Sequence, residues 1–326
     1  IKSSAASDVY KRQELNLLCC TIATQVGNCA AIARVRTPEY SQEAKYLRDK
    51  LGLALIINPE LEAAIEMAHI LHLPSSLEVT NFAHGQAQLI KYEIPEGSIL
   101  DGTKLMDLGT RHHANILIGA VERDDEVTIP SGDFVLRKGD KLSFVGERRH
   151  TKEFFSHIGV NTHSVKNTLI IGGGKAAYYL AKQLISRGIK VKIIENSFER
   201  CEELSILLPD AVIINGDGTE QALLKEEGIE TCQSFVPLTG IDEENIMLTL
   251  YAKQVSNAKV ITKLNRITFT NVINSLDLGS VISPKYITSE AIIAYVRAKK
   301  NSMNCNIETL YHMYDLSLIH ISEPTR

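Results

Sequence analysis

Short apolar runs alternate with helical segments through the second half of the chain. Six runs rich in β-branched residues lie between residues 168 and 283: TLII, VKII, AVII, SFVPL, KVITKL and SVIS. Segments of helical period separate them at 176–186, 198–208, 220–227 and 243–255. Continuous apolar strands that alternate with helices indicate a parallel sheet covered on both faces. The pattern predicts an α/β fold, a Rossmann-like doubly wound domain over residues 165–300.

Residues 77–160 have a different pattern. Apolar and polar positions alternate in VTNFAHGQAQLIKYEI, NILIGAVERDDEVTI and DKLSFVGE, and the turn sequences PEGS, RDDE, PSGD and RKGD interrupt them. One helical stretch, LDGTKLMDLGTRH, lies among these runs. This segment is therefore predicted to be a small α+β domain of antiparallel strands.

The beginning of the chain contains a partial copy of the later domain. ELNLLCCTIATQVGNCAAIARVR aligns without a gap to EENIMLTLYAKQVSNAKVITKLN, so that Asn16 falls on Asn245. Farther on, LGLALIINPELEAAIEMAHIL resembles LDLGSVISPKYITSEAIIAYV, with Pro59 on Pro284. A repeat of this length indicates duplicated domains and not a solenoid. We expect residues 14–76 to be the C-terminal part of a first Rossmann-like domain.

Both ends of the chain lack a periodicity that continues into their neighbours. We expect residues 1–13 and 315–326 to be tails foreign to a protein that is truncated at both ends. Residues 301–314 would then begin a second small α+β domain that is cut short.

Composition narrows the classes of protein. The chain has 44% hydrophobic and 23% charged residues, as an ordinary globular protein has. Its net charge of −4 does not indicate a nucleic-acid-binding protein. No apolar run reaches the ~20 residues of a membrane-spanning helix. The six cysteines form no C-x-x-C pair and lie mostly in apolar runs, which predicts buried, reduced thiols. The histidines lack partners at metal-site spacing, so we expect no metal.

The stretch IIGGGKAAYYLA contains a nucleotide-binding motif. Gly172, Gly174 and Ala177 satisfy G-x-G-x-x-[GA] between a strand and a helix. Gly172 permits the tight turn, Gly174 lets the backbone approach a diphosphate, and Ala177 lets the helix pack close to the sheet. The N-terminus of the helix would face the phosphates. Lys175 would either add its charge to this cradle or remain solvated.

Acidic and small polar residues follow the next strands. Glu195 ends the second strand, about 20 residues past the glycine turn, where an acid accepts hydrogen bonds from a ribose diol. Its charge disfavours a 2′-phosphate, which predicts NAD(H) or an adenine nucleotide and not NADP. Asp217 in NGDGT and Thr239–Gly240 in PLTGIDEEN end the following strands at the same edge. We expect Asp217 near the adenosine, and Thr239 and Gly240 near the ribose or the diphosphate.

Catalytic residues are harder to find. Tyr178 and Lys182 have the Y-x-x-x-K spacing of a short-chain dehydrogenase, but they lie on the helix behind the glycine turn, where we expect surface residues. Residues 77–160 show no acid or base for a hydride transfer. For Asp242 and Asn245 we favour helix capping and first-turn charge. We predict no catalytic residue, with an NAD-dependent oxidoreductase as the alternative.

Together these motifs resemble the TrkA-type regulators of bacterial potassium uptake, whose chains alternate RCK (or KTN) nucleotide-binding domains with small RCK C-terminal domains. The resemblance covers residues 14–313 and rests on IIGGGKAAYYLA, KIIENS, INGDGTEQALL, LTGIDEENIMLTLYAKQVSNAKVITKLNR and AVERDDEVTIPSGDFVLRKGDKLSFVGE. It implies a cytoplasmic regulatory subunit without enzymatic activity, peripheral on the inner face of the membrane. Such a subunit binds NAD(H), with ADP or ATP as alternatives, and forms a homo-oligomeric ring that gates a Trk-type potassium transporter.

The resemblance also implies the residues of the site. The second nucleotide site would be lined by Gly172, Gly173, Gly174, Lys175, Ala176, Glu195, Asp217, Thr239, Gly240 and Lys263. Arg34, the repeat partner of Lys263, would serve the first site. That site lacks its glycine loop and its acid, so we expect one nucleotide per chain. A nucleotide-binding scaffold for another cation channel or antiporter is a third interpretation.

Overall fold

A computed structural model of the 326-residue chain shows three units in succession. The residues it describes are 4–27, 29–38, 40, 43–73, 78–82, 87–111, 115–124, 126–160, 164–266, 273, 276–301, 307–313 and 317–322. Within these ranges no helix combines the length and the apolar character that a membrane span requires.

The first unit is a partial α/β layer. It consists of α1 (Ser4–Gly27), β1 (Ile32–Arg34), α2 (Ala44–Leu51), β2 (Leu55–Ile57) and α3 (Pro59–His72). β1 and β2 pair in parallel. α3 begins where the Asn58 side chain accepts a hydrogen bond from the Leu61 amide, with Pro59 in the first turn, where its missing amide costs nothing. α1 also includes residues 4–13, for which the sequence pattern predicted no element.

The second unit is an antiparallel sheet with two helices. Its elements are β3 (Glu78–Phe82), β4 (Ala87–Glu93), α4 (Leu105–Arg111), β5 (Leu117–Arg123), β6 (Glu126–Thr128), β7 (Lys141–Glu147) and α5 (Arg148–His157). The strand order is β3-β4-β7-β5-β6. Phe144 packs edge-on against Phe154 and Phe155 of α5, a helix that the pattern did not predict. The predicted small α+β architecture is confirmed.

The third unit is the predicted Rossmann-like domain. It comprises β8 (Asn167–Ile171), α6 (Lys175–Ile185), β9 (Lys190–Glu195), α7 (Phe198–Leu207), β10 (Val212–Asn215), α8 (Gln221–Glu226), β11 (Ser234–Pro237), α9 (Asp242–Val255), β12 (Lys259–Lys263), β13 (Ser280–Ile282) and α10 (Pro284–Asn301). The six strands are parallel, in the order β10-β9-β8-β11-β12-β13. Ile170 and Ile193 belong to the core on one face of the sheet, Leu169 and Ile194 to the core on the other. This burial on both faces explains the continuous apolar runs.

A hairpin ends the described part of the chain. β14 (Ile307–Met313) pairs antiparallel with β15 (Ser317–Ser322). β15 lies within the segment 315–326 that the pattern left without an element. The domain boundaries given above remain predictions.

The cysteines do not share one environment. Cys201 is buried, whereas Cys19 and Cys29 are exposed; Cys305 lies outside the described residues. The prediction of buried thiols is therefore wrong for Cys19 and Cys29. An unbroken apolar run on a helix covers every face of it, so part of the run in α1 points outward, as Leu15 and Leu18 also do.

The duplication is visible in strand register. Arg34 of β1 lies opposite Ile57 of β2, and Lys263 of β12 lies opposite Ile282 of β13. These are the positions that the sequence repeat places on each other. The first unit therefore reproduces the β12–β13 edge of the third.

Equivalent side chains repeat the same hydrogen bonds. Asn16 Nδ2 donates to the Arg34 carbonyl at 2.9 Å, and Asn245 Nδ2 donates to the Lys263 carbonyl at 3.0 Å. Each bond ties the helix that precedes a strand to the end of that strand. The repeat inferred from sequence is therefore a repeat of specific contacts.

A second pair of equivalent hydrogen bonds involves Gln13. Its Oε1 accepts a hydrogen bond from the Arg36 amide at 2.9 Å, as Oδ1 of Asp242 accepts one from the Asn265 amide at 2.8 Å. The repeated unit thus includes Gln13, one residue before the boundary that we placed at residue 14.

α3 joins the first unit to the third. Its apolar face shares a core with α6, and the two helices have a polar anchor in Tyr179. The Tyr179 hydroxyl accepts from Asn58 Nδ2 at 3.0 Å and donates to the Arg36 carbonyl at 3.2 Å. α6, which begins at the glycine turn, is therefore held directly by the first unit.

Candidate functional site

A cleft of about 500 Å³ opens at the carboxyl ends of the central strands of the third unit. It lies where the strand order reverses, between β8 and β11, the place where open α/β sheets bind ligands. Seven of the predicted residues line it together: Gly172, Gly173, Gly174, Glu195, Asp217, Thr239 and Gly240. The sequence motifs therefore converge on one surface.

The three glycines of the turn have different physical roles. Gly172 has φ +93°, in the left-handed region, and a Cβ there would lie 3.0 Å from the Leu238 carbonyl oxygen. A Cβ on Gly173 would lie 2.5 Å from Leu204 Cδ1. A Cβ on Gly174 would meet nothing within 4 Å, and this residue lines the cleft. The first two glycines serve the fold, and the third leaves room for a ligand.

The N-terminus of α6 faces the cleft. Gly174 is its N-cap residue and no side chain caps the helix there. The first turn of a helix has amides without intrahelical partners and a partial positive charge, which together favour an anion. Lys175 and Ala176 are not among the residues that line the cleft. Ala176 is buried in the core beneath the turn, so it is placed to contribute its backbone and not its side chain.

Glu195 is held in place at the end of β9. Its Oε2 accepts from the Gly173 amide at 2.6 Å, and its Oε1 accepts from the Ser197 amide at 2.8 Å. Arg200 Nε donates to the Gly173 carbonyl at 2.7 Å. The carboxylate is thus oriented by the turn beside which it lies. A carboxylate oxygen accepts more than one hydrogen bond, so both oxygens retain capacity for a ligand hydroxyl.

Asp217 lies on the turn after β10. Its Oδ1 accepts from the hydroxyl of Thr219 at 2.7 Å and from the Thr219 amide at 2.8 Å. These two hydrogen bonds lower the pKa of Asp217 below its usual value. Gly218 follows, where a Cβ would collide with Ile171 Cγ2. The turn is therefore packed tightly against β8, with an ionised acid at the cleft.

Asn245 organises the turn after β11, a role that sequence reasoning missed. It is fully buried. Its Oδ1 accepts from the amide of Thr239 at 3.0 Å and from the hydroxyl of Thr239 at 2.9 Å, while its Nδ2 donates to the Lys263 carbonyl. The helix capping that we favoured for Asn245 is wrong, because no side chain caps α9 and this amide bonds the turn and the strand end instead. The signal that was available is the identical asparagine, Asn16, in the other copy.

Lys263 supports the turn after β11, and Asp242 supports the segment that follows β12. Lys263 Nζ donates to the Thr239 carbonyl at 3.0 Å and does not line the cleft. Burial lowers the pKa of Lys263, although Asp242 acts against this. The Asp242 carboxylate accepts from the amides of Asn265 and Arg266, so it fixes the chain that leaves β12.

Arg34 does not reach the cleft. It lies at the end of β1, where its Nη2 is 3.4 Å from Oε1 of Glu60, and Arg36 contacts the same oxygen at 2.6 Å. Two parallel strands are all that the described residues contribute to the sheet of this copy. Arg34 is thus placed as the structural counterpart of Lys263.

The side chains of the Tyr178–Lys182 pair do not line the cleft either. Tyr178 is 8% exposed and packs edge-on against Tyr179, so the expectation of a surface residue is wrong for it. α6 packs on the sheet with one side and on α3 with another, which buries the tyrosine. Lys182 Nζ lies 5.9 Å from the centre of the Tyr178 ring and is solvent-exposed. Neither side chain is placed to act on a bound nucleotide.

Comparison with known proteins agrees with this architecture. The family model of the TrkA-N domain matches residues 168–284, and that of the TrkA-C domain matches residues 89–159. The Trk system potassium uptake protein trkA homolog 1 of Methanosarcina mazei is 31% identical over 305 residues, which cover 91% of this chain and 73% of that protein. TrkA of Halomonas elongata is 30% identical over 293 residues, or 89% of this chain and 64% of that protein.

Solved structures agree in fold. The GsuK RCK domain superposes with a TM-score of 0.66 at 17% identity, covering 92% of this chain and 63% of that one. The GsuK channel bound to NAD superposes with a TM-score of 0.64 at 18% identity, covering 91% and 52%. The chain spans about two thirds of the length of the curated relatives named here. With its TrkA-N and TrkA-C domains and its identity to these proteins, the chain belongs to the TrkA family of RCK proteins.

Proposed function

We propose that the chain is an NAD(H)-binding regulatory subunit of a Trk-type potassium uptake system. The observation that carries the proposal is the complete cleft, with its glycine turn, uncapped helix N-terminus and oriented Glu195, in a chain of the TrkA family. Relatives named as Trk potassium uptake proteins and an RCK-containing channel whose structure holds NAD support it.

The cleft suggests how a dinucleotide would bind. Its diphosphate would lie over Gly174 and the first turn of α6, where Cβ-free backbone and helix amides are available. The ribose diol would donate to Glu195, whose charge repels a 2′-phosphate. Asp217 would face the adenosine side, and Thr239 and Gly240 the diphosphate or the second ribose. ADP or ATP would use the same glycine turn and acid.

Regulation would require that the nucleotide bind one arrangement of the protein better than another. α6 connects the cleft to the first unit. Its N-terminus lies at the cleft, and Tyr179 on the same helix is hydrogen-bonded to Asn58 and Arg36 of the first unit. We propose that the chain acts in the cytoplasm, at the inner face of the membrane, in a homo-oligomeric ring against a Trk-type transporter subunit. We propose no catalytic role.

Calorimetric titration with NADH, NAD, ADP and ATP tests the proposal. We expect one nucleotide per chain, and a loss of about tenfold or more in affinity for Glu195→Ala, because hydrogen bonds to a charged group contribute about 1.5–3 kcal/mol. Glu199→Ala, an exposed acid in the first turn of α7, is the matched control and should bind as the wild type does. Absence of binding for all four nucleotides would refute the proposal. Turnover of NADH with a small carbonyl substrate would favour an oxidoreductase instead.

The transport role has its own test. The purified chain would be added to vesicles that contain a Trk-type transporter subunit, and potassium flux would be followed with and without NADH. We expect the flux to depend on nucleotide in the presence of the chain and not in its absence. A potassium flux that is the same with and without the chain would contradict the Trk assignment, and it would not contradict nucleotide binding.

A further inference from the structure

Five basic side chains from all three units lie around one contact, between Arg148 and His72, and we call this group the basic junction. Its members are His69 and His72 in the last turn of α3, Arg148 and Lys152 on α5, and Arg187 just past α6. Nη2 of Arg148 lies 3.0 Å from Nε2 of His72, which places the start of α5 against the end of α3. Arg187 is near enough to both histidines to act on their pKa values.

Among the described residues, no acid forms an ion pair with the permanent cations of the junction. Arg148, Lys152 and Arg187 form no salt bridge with any carboxylate in the part of the chain that the structure describes, and the side-chain hydrogen bond of Arg148 goes to His72. The neighbouring Arg149 behaves differently, because its Nε is 2.8 Å from Oε1 of Glu153. A chain of net charge −4 therefore concentrates unpaired positive charge where its units meet.

The titration of the junction is consistent with this excess charge. Burial first, and then Arg187, Arg148 and His72, lower the pKa of His69 to about 4. Burial also lowers the pKa of His72, with Arg148 the next cause. Burial and then Arg148 lower the pKa of Arg187. The site thus resists additional protons, and a bound anion would reverse this by supplying the missing negative charge.

We propose that the basic junction is a binding site for a phosphate-bearing anion. Guanidinium groups match the oxygens of a phosphoryl group through paired N–H donors, and Arg148 and Arg187 would supply them. Lys152 would add a point charge, and His72 would give up its contact with Arg148 and become a donor. The phosphoryl group would belong either to a free polyphosphate or to a lipid headgroup.

The junction is separate from the nucleotide cleft. Gly174 precedes α6 at the cleft and Arg187 follows α6 at the junction. An 11-residue helix is about 16 Å long at 1.5 Å per residue, so one phosphate group does not reach both places. An anion at the junction would connect α3, α5 and the end of α6, and so would hold the three units in their observed arrangement.

The site is tested by observing its histidines. The Cε1–H NMR signals of His69 and His72, assigned with His69→Gln and His72→Gln, would be followed in the full chain during titration with inorganic pyrophosphate at constant ionic strength. We expect both signals to move saturably toward the protonated form. In Arg148→Gln/Arg187→Gln the affinity should fall by about tenfold or more, whereas Arg149→Gln should bind as the wild type does. Pyrophosphate bound at the glycine turn would not move these two signals.

A second arm distinguishes the source of the phosphate. Co-sedimentation with vesicles of phosphatidic acid in phosphatidylcholine, and not with vesicles of phosphatidylcholine alone, would show that the phosphoryl group belongs to a lipid headgroup. A response to pyrophosphate without co-sedimentation would show that the ligand is a free anion. If circular dichroism shows that the double variant does not fold, Lys152→Gln, an exposed position, should still bind several-fold more weakly. Signals that move with neither probe, or affinity unchanged in the folded arginine or lysine variants, would overturn the proposal.

Discussion

Replacing Asn245 by alanine should destabilise the third unit far more than replacing its repeat partner Asn16. The Asn245 side chain is fully buried and holds the amide of Thr239 and the carbonyl of Lys263. In Asn245→Ala both groups lose their partner in a place that water reaches poorly. Each such loss costs about 1–3 kcal/mol, so we expect about 2–6 kcal/mol for the two groups together. This is a large part of the 5–15 kcal/mol that typically separates folded from unfolded protein.

Asn16→Ala is the matched control. Asn16 makes the equivalent bond to the Arg34 carbonyl, but this bond is exposed to solvent, so water replaces the lost donor. We expect a cost of about 0.5–1.5 kcal/mol. Asn245→Asp tests the donor separately, because it keeps the acceptor for Thr239 and replaces the donor to Lys263 by a second oxygen. It should be destabilised nearly as much as Asn245→Ala.

Urea unfolding followed by circular dichroism measures these differences in the free energy of unfolding. Calorimetric titration measures the affinity of the cleft for NADH. Asn245→Ala should also bind NADH at least tenfold more weakly, because the turn with Thr239 lines the cleft. Equal losses of stability in Asn245→Ala and Asn16→Ala would refute the reasoning, since they would show that burial of the repeated contact does not matter.

Three further predictions concern other parts of the molecule. Gly173→Ala should cost about 1–3 kcal/mol in urea unfolding, because its Cβ would lie 2.5 Å from Leu204 Cδ1 and 3.2 Å from Glu195 Cβ. Gly174→Ala should retain stability but weaken NADH binding in calorimetry. Arg123→Ala removes the guanidinium that lies 2.7 Å from the buried carboxylate of Asp140 and leaves the Arg137 amide as a donor to it. It should cost about 3 kcal/mol in thermal or urea unfolding. The folded chain keeps His69 neutral down to about pH 4, so the unfolded chain binds the extra proton between pH 6.5 and about 4. Stability should fall as pH decreases through this window, and urea midpoints should show a weaker decrease for His69→Gln; parallel curves for the two proteins would contradict the assigned shift.

The sequence by itself determined the sheet and the glycine turn, because both are set by local chemistry. Strands covered on both faces must be apolar throughout, and that requirement is legible in runs such as TLII and VKII. The turn at Gly172 needs a left-handed φ and close backbone approach, which only glycine provides. Glu195 could be predicted because it ends the second apolar strand, and parallel strands end at the same edge of the sheet as the glycine turn.

The repeat could also be identified from the sequence, and it gave the position of Lys263 at the end of a strand. In the structure this residue lies opposite Ile282. What the repeat did not show is the direction of each side chain. Lys263 bonds beneath the Thr239 turn and does not line the cleft. Direction depends on how a strand end is covered by the helix before it, and that is a property of packing.

Only the tertiary structure decided the contacts between distant parts of the chain. Tyr179 reads as a helix residue until α3 brings Asn58 to its hydroxyl. The basic junction is invisible along the chain, because its members lie on α3, α5 and the segment after α6. Local sequence sets the conformation of each turn and strand, whereas charge that gathers from three units depends on how those units pack. For this protein the sequence therefore specified the glycine turn and the acid of the cleft, and the fold specified what surrounds and supports them.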